Sequence, residues 1–145
     1  MRQQAMSIPE LLSQSRTVAV VGLSANPERP SHGVAKYLQA HGYRIIPINP
    51  AYAGGRILNE HCYPTLTQAA AMLQGEGTPI DIVDCFRKPE SIPAIVEEAI
   101  AISARCVWMQ LGIVNEEAAR RAEAAGLQVV MDHCMKIEHM RLHGS

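Results

Sequence analysis

TVAVVGLSANPERPSHGVAKYL, the sequence from Thr17 to Leu38, shows most clearly how this chain folds. Its first five residues, Thr17–Val21, are β-branched or apolar, and a polar loop over Leu23–Pro30 follows Gly22. Such an apolar run is typical of a parallel strand that is buried on both faces. A helical pattern begins at about Ser31, so the helix N-terminus points back toward the loop. A strand, a glycine loop and a helix N-terminus in this order predict a phosphate-binding site.

The spacing of the glycines excludes two familiar phosphate-binding motifs. A dinucleotide fingerprint has the pattern G-x-G-x-x-G, and a P-loop ends in Gly-Lys-Ser/Thr, whereas the first glycine after Gly22 is Gly33. The alternative interpretation is a plain strand-to-helix connection, but such connections usually take about 2–6 residues. The loop is longer and contains Asn26-Pro27-Glu28-Arg29-Pro30, which favours a ligand site.

The composition of the 145 residues restricts the class of protein. Hydrophobic residues make up 48%, charged residues 19%, and the formal net charge is −1, which predicts one folded domain over residues 1–145 and no nucleic-acid partner. Aromatic residues at 4% argue against a base-stacking surface. No apolar run reaches the roughly 20 residues of a membrane span, and the N-terminus lacks the apolar core of a signal peptide. The cysteines form no C-x-x-C pair, so we expect a cytoplasmic protein with reduced thiols.

Strand and helix patterns alternate along the whole chain. The expected strands are Thr17–Gly22, Arg44–Ile48, Ile80–Phe86, Cys106–Gln110 and Leu127–Met131. The expected helices are a short one after a Ser7 capping box, Ser31–His41, Gln68–Leu73 after Thr67, one capped by Ser91 that runs to Ser103, Glu116–Ala125 after Asn115, and a final helix or ordered tail over Asp132–His143. This alternation predicts an α/β fold: a three-layer, doubly wound, Rossmann-like parallel sheet of five strands in the order 3-2-1-4-5.

In that strand order a ligand lies beyond the carboxyl ends of the strands, at the switch between the first and fourth strands. The loops expected to converge there are Gly22–Pro30, Asn49–Gly55, Phe86–Pro89, Gln110–Ile113 and Asp132–Lys136. A protein that binds NAD needs an acid after the second strand to hold the ribose, but this chain has Asn49-Pro50. The basic residues of these loops, Arg29, Arg56, Arg87 and Lys88, suit a ligand with more phosphates than NAD. Gln110 is a further candidate for orienting that ligand.

A cluster near the C-terminus offers metal ligands or a Cys/His nucleophile. It consists of Asp132-His133-Cys134 with His139 and His143, of which the last two share a helix face. A zinc site usually has tighter paired spacing, and Asp132 weakens the electropositive setting that a catalytic cysteine needs. We therefore predict no metal site and no catalytic residues, and leave open a redox-sensitive Cys134.

Five blocks of sequence resemble a known family. They are VAVVGLSANPERPSHGVAKYL, GYRIIPINP, DIVDCFRKPE, VWMQLGI and DHCMKIEH. In this order they resemble the small stand-alone coenzyme A-binding proteins of the YccU-like family. They are also similar to the CoA-binding domain of the succinyl-CoA synthetase α subunit. The resemblance covers about Thr17 to His139 and implies a Rossmann-like fold that binds coenzyme A or an acyl-CoA.

The resemblance also implies where each part of the ligand lies. The diphosphate would lie at Gly22, Leu23 and Ser24, with Asn26 in the same loop. The adenosine would lie near Asn49, Pro50, Phe86 and Arg87, and the thiol arm would run toward Gly112 and Cys134. These residues, together with Arg29 and Arg56, are the predicted binding set.

Two departures from the synthetase subunit bear on function. In that subunit a lysine close to a double glycine suits the 3′-phosphate, whereas here Ala53 precedes Gly54-Gly55. Arg87 is then the first candidate for that phosphate, followed by Arg56 and Arg29. The synthetase's second domain, with its phosphorylated histidine, has no room in this chain, which argues against ligase chemistry.

We therefore expect non-catalytic binding of coenzyme A or an acyl-CoA, without nucleic-acid or membrane partners. The sequence leaves a homodimer open. The alternatives are an NAD(P)-binding oxidoreductase subunit and a regulatory protein-binding domain that has lost its ligand.

Overall fold

The computed structural model describes residues 6–143 and consists of alternating strands and helices. In chain order they are α1 (Ile8–Gln14), β1 (Thr17–Val21), α2 (Pro30–Ala40), β2 (Arg44–Ile48), β3 (Arg56–Ile57), β4 (Glu60–His61), α3 (Leu66–Gln74), β5 (Ile82–Cys85), α4 (Ile92–Ala101), β6 (Cys106–Met109), α5 (Glu116–Ala124), β7 (Gln128–Val130) and α6 (Met135–Leu142). Short 3₁₀ turns cover Pro50–Tyr52 and Pro89–Ser91. Within residues 6–143, no helix has the length and apolar character needed to cross a bilayer.

A five-stranded parallel sheet forms the centre of the fold. β1 pairs with β2 on one side and with β5 on the other, and its residues Val18, Ala19 and Val20 are fully buried. Apolar side chains of α3, α4 and α5 pack on one face of the sheet, and those of α1, α2 and α6 pack on the other. The predicted three-layer, doubly wound α/β fold is therefore confirmed.

The predicted strand order 3-2-1-4-5 is wrong in the position of the third strand. The sheet has the order β2-β1-β5-β6-β7, so the third of its five strands, β5, lies beside β1. The outer edge of β2 is covered by the segment that follows it, through the β3–β4 hairpin and a bridge between Ile48 and Tyr63. Since that edge is occupied, β5 pairs with the free edge of β1, and the switch point lies between β1 and β5 rather than between the first and fourth strands.

The helix caps agree with the sequence patterns in part. Asn115 caps α5 as predicted, since its side chain accepts a hydrogen bond from the third helical residue. α3 begins earlier than predicted because Thr65, and not Thr67, is its cap, accepting from the Gln68 N–H at 3.1 Å. Ser91 makes no side-chain capping bond, since a 3₁₀ turn leads directly into α4. The other predicted helices and strands differ mainly at their ends.

Candidate ligand-binding site

Gly22 lies where the carboxyl ends of β1, β2 and β5 meet. Its backbone φ is +93°, and its N–H donates to the carbonyl oxygen of Ile48 at 2.8 Å. A Cβ atom at this position would lie 2.4 Å from the carbonyl oxygen of Phe86 and 3.0 Å from Cδ of Arg87. Both the positive φ and the close approach require glycine. Three residues of the predicted set, Gly22, Phe86 and Arg87, therefore meet at the switch point.

The loop after Gly22 is held by its own polar side chains. Leu23 is fully buried and anchors the loop in the core. The Ser24 N–H donates to Oγ of Ser31, in the first turn of α2, at 3.0 Å. Ser24 Oγ in turn accepts from the Asn26 N–H, and Asn26 Oδ1 accepts from the Glu28 N–H, each at 3.0 Å. These bonds fix the path of the loop against the start of α2.

The start of α2 has no side-chain cap. Arg29 occupies the N-cap position without a capping hydrogen bond, and Pro30 is the first helical residue. The N–H groups of a first helical turn carry partial positive charge and point out of the helix. An anion beside the Gly22 loop would therefore be stabilised by this helix end.

The segment after β2 uses its polar groups for its own structure. The Asn49 side chain donates through Nδ2 to the carbonyl oxygen of Leu23 at 3.0 Å. Its Oδ1 accepts at 3.0 Å from a backbone N–H of the turn that begins at Pro50. The Arg56 guanidinium donates to the carbonyl oxygen of Asn59 within the β3–β4 hairpin. Asn49 thus links the loop after β2 to the loop after Gly22, and the Arg56 guanidinium is already hydrogen-bonded within its own hairpin.

Three other cations of the site are exposed. Arg29, Arg87 and Lys88 make no side-chain hydrogen bond or ion pair with any residue between 6 and 143. The backbone that carries Arg87 is well fixed, because the preceding Phe86 N–H donates to the Val21 carbonyl oxygen at 2.9 Å. These cations are available to an anionic ligand.

The other half of the edge is formed around the start of α6. The Gly112 N–H donates to Asp132 Oδ1 at 2.6 Å, and Gly112 itself has a φ of +83°. Cys134 is half-buried at the N-cap position of α6 and makes no capping bond. The buried Gln110 accepts through Oε1 from the Met135 N–H at 3.1 Å. Gln110 therefore caps α6, a role its position in the sequence did not indicate.

The residues considered as metal ligands separate into two neighbourhoods. His133 Nδ1 lies 3.5 Å from Glu138 Oε2, near the start of α6. The rings of His139 and His143 lie near its end, with their centroids 4.4 Å apart. Across residues 6–143, no three histidine, cysteine, aspartate or glutamate side chains are arranged to hold a metal ion.

Asp84 is a buried carboxyl group that sequence reasoning missed. It lies in β5 between Val20 of β1 and Trp108 of β6 and is fully buried. Neither of its carboxylate oxygens has a hydrogen-bond partner among residues 6–143. Burial raises the pKa of Asp84 well above its usual range, so the fold favours the protonated acid. The sequence feature that could have revealed this buried acid is the presence of an aspartate inside the apolar run of the third predicted strand.

This geometry defines a class of protein: an open, doubly wound α/β fold with a candidate ligand site at its switch point. The site combines a glycine loop, a helix start without a side-chain cap and exposed cations, a combination that suits a phosphorylated ligand. Residues 16–140 match the family described as the CoA binding domain. The chain belongs to this family, which confirms the resemblance of the five sequence blocks.

Known relatives extend over nearly the whole chain. It is 41% identical over 132 residues to the protein YneT of Bacillus subtilis (strain 168). The aligned residues cover 91% of this chain and 91% of that protein. A hypothetical protein from Pyrococcus horikoshii OT3 has a solved structure with 36% identity and a TM-score of 0.85, covering 99% of this chain and 100% of that chain. The acetyl-coenzyme A synthetase 1 of Ca. Korarchaeum cryptofilum is 18% identical with a TM-score of 0.66, covering 85% of this chain and 27% of that chain. The last similarity shows the fold alone.

Proposed function

We propose that this chain binds coenzyme A or an acyl-CoA at the carboxyl edge of its sheet without catalysing a reaction. Membership of the CoA-binding domain family supports the ligand class. The observation that carries the proposal is the position of Gly22 at the meeting point of three strand ends, with the start of α2 and the exposed Arg87 nearby. A glycine turn that leads to a helix N-terminus, with a cation beside it, is a typical site for a diphosphate.

The diphosphate is assigned to the Gly22–Ser24 turn and the start of α2. Ser24 Oγ and Asn26 Oδ1 accept hydrogen bonds from backbone N–H groups of the loop itself. Their donor groups, the Ser24 hydroxyl hydrogen and the Asn26 amide nitrogen, have no partner within residues 6–143 and can donate to phosphate oxygens. Arg29, at the N-cap of α2, adds positive charge.

The adenosine with its 3′-phosphate is assigned to the ends of β2 and β5. Asn49, Pro50 and Phe86 would lie against the adenosine, and Arg87 would contact the phosphate by a charge-assisted hydrogen bond. Arg87 is preferred to Arg56, because the guanidinium of Arg56 is already bound within its hairpin.

The thiol arm is assigned to the region of Gly112 and Cys134. Leu111, next to Gly112, is 65% exposed, and Val114 is 43% exposed. Apolar side chains at this end of the carboxyl edge suit the acyl chain of an acyl-CoA. Asp132 and Gln110, two polar side chains of this region, are bonded to backbone N–H groups, which supports a binding role over catalysis.

Calorimetry with three ligands tests this function. Coenzyme A is expected to bind most tightly, followed by dephospho-CoA and then NAD, because Asn49 stands where NAD-binding proteins have an acid. Equal or tighter binding of NAD would favour the oxidoreductase alternative. Failure of all three ligands to bind would favour a regulatory domain without a nucleotide.

A further inference from the structure

A cavity lies at the opposite edge of the sheet from Gly22, where β1 and β2 begin. Its volume is about 170 Å³. The residues that line it are Leu12, Ser13, Ser15, Arg16, His41, Gly42, Tyr43, His139, Leu142 and His143. They come from α1, from the residues before β1 and β2, and from the C-terminal ends of α2 and α6. The length of β1 separates this cavity from Gly22, so a ligand bound here is independent of the proposed function.

Three imidazole rings meet at this cavity. The ring centroid of His139 lies 4.4 Å from that of His143 and 5.2 Å from that of His41. His41 donates through Nδ1 to the Tyr37 carbonyl oxygen at 2.8 Å, and His139 Nδ1 lies 2.8 Å from the Tyr37 hydroxyl oxygen. Each of these two rings therefore has its Nδ1 fixed and its Nε2 available to another group.

The charged groups around the cavity are mainly cationic. Arg16 lines it, and no carboxylate is among the lining residues. The neighbouring Asp81 accepts from the N–H groups of Arg16 and Thr17 at 2.8 and 3.0 Å. Lys136 lies 5.5 Å from the centroid of the Tyr37 ring, and Tyr43 donates its hydroxyl to the carbonyl oxygen of Leu12 at 2.6 Å.

Protonation of His139 is opposed by its surroundings. Burial, followed by the neighbouring His143 and His41, lowers the pKa of His139. An anion in the cavity would favour the protonated His139 ring and so act against this effect.

Ser15 forms part of the cavity wall and is 2% exposed. Its Oγ is itself buried and has no hydrogen-bond partner within residues 6–143. An occupant of the cavity does not reach this hydroxyl, so the groups available to an occupant are those of Arg16 and the imidazoles.

We propose that this cavity binds a small oxyanion, phosphate or carboxylate, between Arg16 and the three imidazoles. Arginine and protonated histidine form the strong, charge-assisted hydrogen bonds that such anions need. An engineered cavity of about 150 Å³ holds benzene, so a volume of about 170 Å³ admits inorganic phosphate or a short carboxylate. Binding is linked to proton uptake by His139, so the affinity for an anion of constant charge rises as the pH falls, by up to about tenfold per pH unit for each proton bound.

Histidine NMR of the full chain tests the proposal. Orthophosphate and acetate are titrated separately at about pH 6 and about pH 8, on either side of the usual histidine pKa. Saturable shifts of the His41, His139 and His143 ring signals are expected. Acetate should bind more tightly at the lower pH, because it is ionised at both values, whereas orthophosphate loses negative charge between them. The tighter of the two ligands identifies the anion as a phosphate or a carboxylate. His32 and His133 report binding at the carboxyl edge instead, and His61 lies in β4, outside both sites.

Two variants and a control complete the test. His143→Gln removes an exposed imidazole from the cavity wall, so the fold is retained while affinity falls. Arg16→Gln weakens binding by roughly tenfold or more, whereas Arg120→Gln, on the exposed surface of α5, leaves it unchanged. The proposal is overturned if the three ring signals do not saturate, if only His32 and His133 respond, or if His143→Gln and Arg16→Gln both bind like the parent. Coenzyme A binding to the two variants is expected to be unaffected.

Discussion

Gly22→Ala is expected to destabilise the protein strongly for a substitution that adds one methyl group. The φ of +93° at this position costs an L-residue about 1–2 kcal/mol. The added Cβ would lie 2.4 Å from the Phe86 carbonyl oxygen, and forcing a group into such a space costs about 1–3 kcal/mol. The free energy of unfolding should therefore fall by about 2–5 kcal/mol, out of the roughly 5–15 kcal/mol of a typical domain.

Urea unfolding followed by the fluorescence of the single, fully buried Trp108 measures this change. Gly33→Ala is the matched control, because Gly33 lies within α2 and a Cβ there would meet no atom within 4 Å. Alanine in place of an unstrained helical glycine should stabilise by about 0.4–1 kcal/mol. A loss below about 1 kcal/mol for Gly22→Ala would refute the argument from strain and close approach.

The same variant separates stability from binding. Under conditions where Gly22→Ala is folded, calorimetry should show a loss of affinity for coenzyme A of at least about tenfold, since the backbone at the switch point must move and well-oriented hydrogen bonds are lost. Unchanged affinity in a folded variant would mean that the diphosphate does not lie against Gly22.

Three further predictions concern charge, protonation and capping. By calorimetry, Arg87→Ala should bind coenzyme A roughly 10- to 150-fold more weakly, whereas its affinity for dephospho-CoA should change little. Lys88→Ala is the control. An equal loss of affinity for both ligands would assign Arg87 to the diphosphate or the adenosine. Because burial raises the pKa of Asp84, the folded state binds the proton more tightly. The free energy of unfolding should then fall by about 1.4 kcal/mol per pH unit from about pH 4 up to the folded pKa. Urea unfolding at several pH values should show that Asp84→Asn removes this dependence of the free energy of unfolding on pH. The same dependence in parent and variant would mean that Asp84 is not its source. Thr65→Ala should lower the free energy of unfolding by about 1 kcal/mol, because it loses a capping bond. Ser91→Ala loses no capping bond and should change the free energy of unfolding by no more than about 0.5 kcal/mol. Equal changes in the two variants would contradict the conclusion that Thr65 is a helix cap and Ser91 is not.

The local sequence predicted the elements because each one carries its own signal. The apolar runs Thr17–Val21 and Cys106–Met109 form buried parallel strands. The glycine and polar residues that follow each run correctly predicted loops at the carboxyl edge of the sheet. The β3–β4 hairpin could not be predicted in this way, because strands of two residues have no periodicity. That hairpin nevertheless covers the outer edge of β2.

The predicted site residues could be chosen by type and position, but their hydrogen-bond partners could not. The resemblance placed Asn49 near the adenosine, and Arg56 was a candidate because of its charge, but both side chains bond to the protein's own backbone. Gln110 caps a helix that is distant in sequence. Asp84 escaped notice because the surrounding apolar run indicated a strand, and a strand pattern does not reveal whether a buried acid finds a partner.

The corrected strand order changes the meaning of one predicted residue. In the order 3-2-1-4-5 the strand before Arg87 would lie two strands away from β1, roughly 10 Å at the usual strand spacing. In the observed sheet β5 is the immediate neighbour of β1, and Arg87 Cδ lies 3.0 Å from where a Gly22 Cβ would be. Arg87 is therefore close enough to the glycine loop to contact the diphosphate as well as the 3′-phosphate. The comparison of coenzyme A with dephospho-CoA thus tests whether Arg87 contacts the 3′-phosphate or the diphosphate of the proposed ligand.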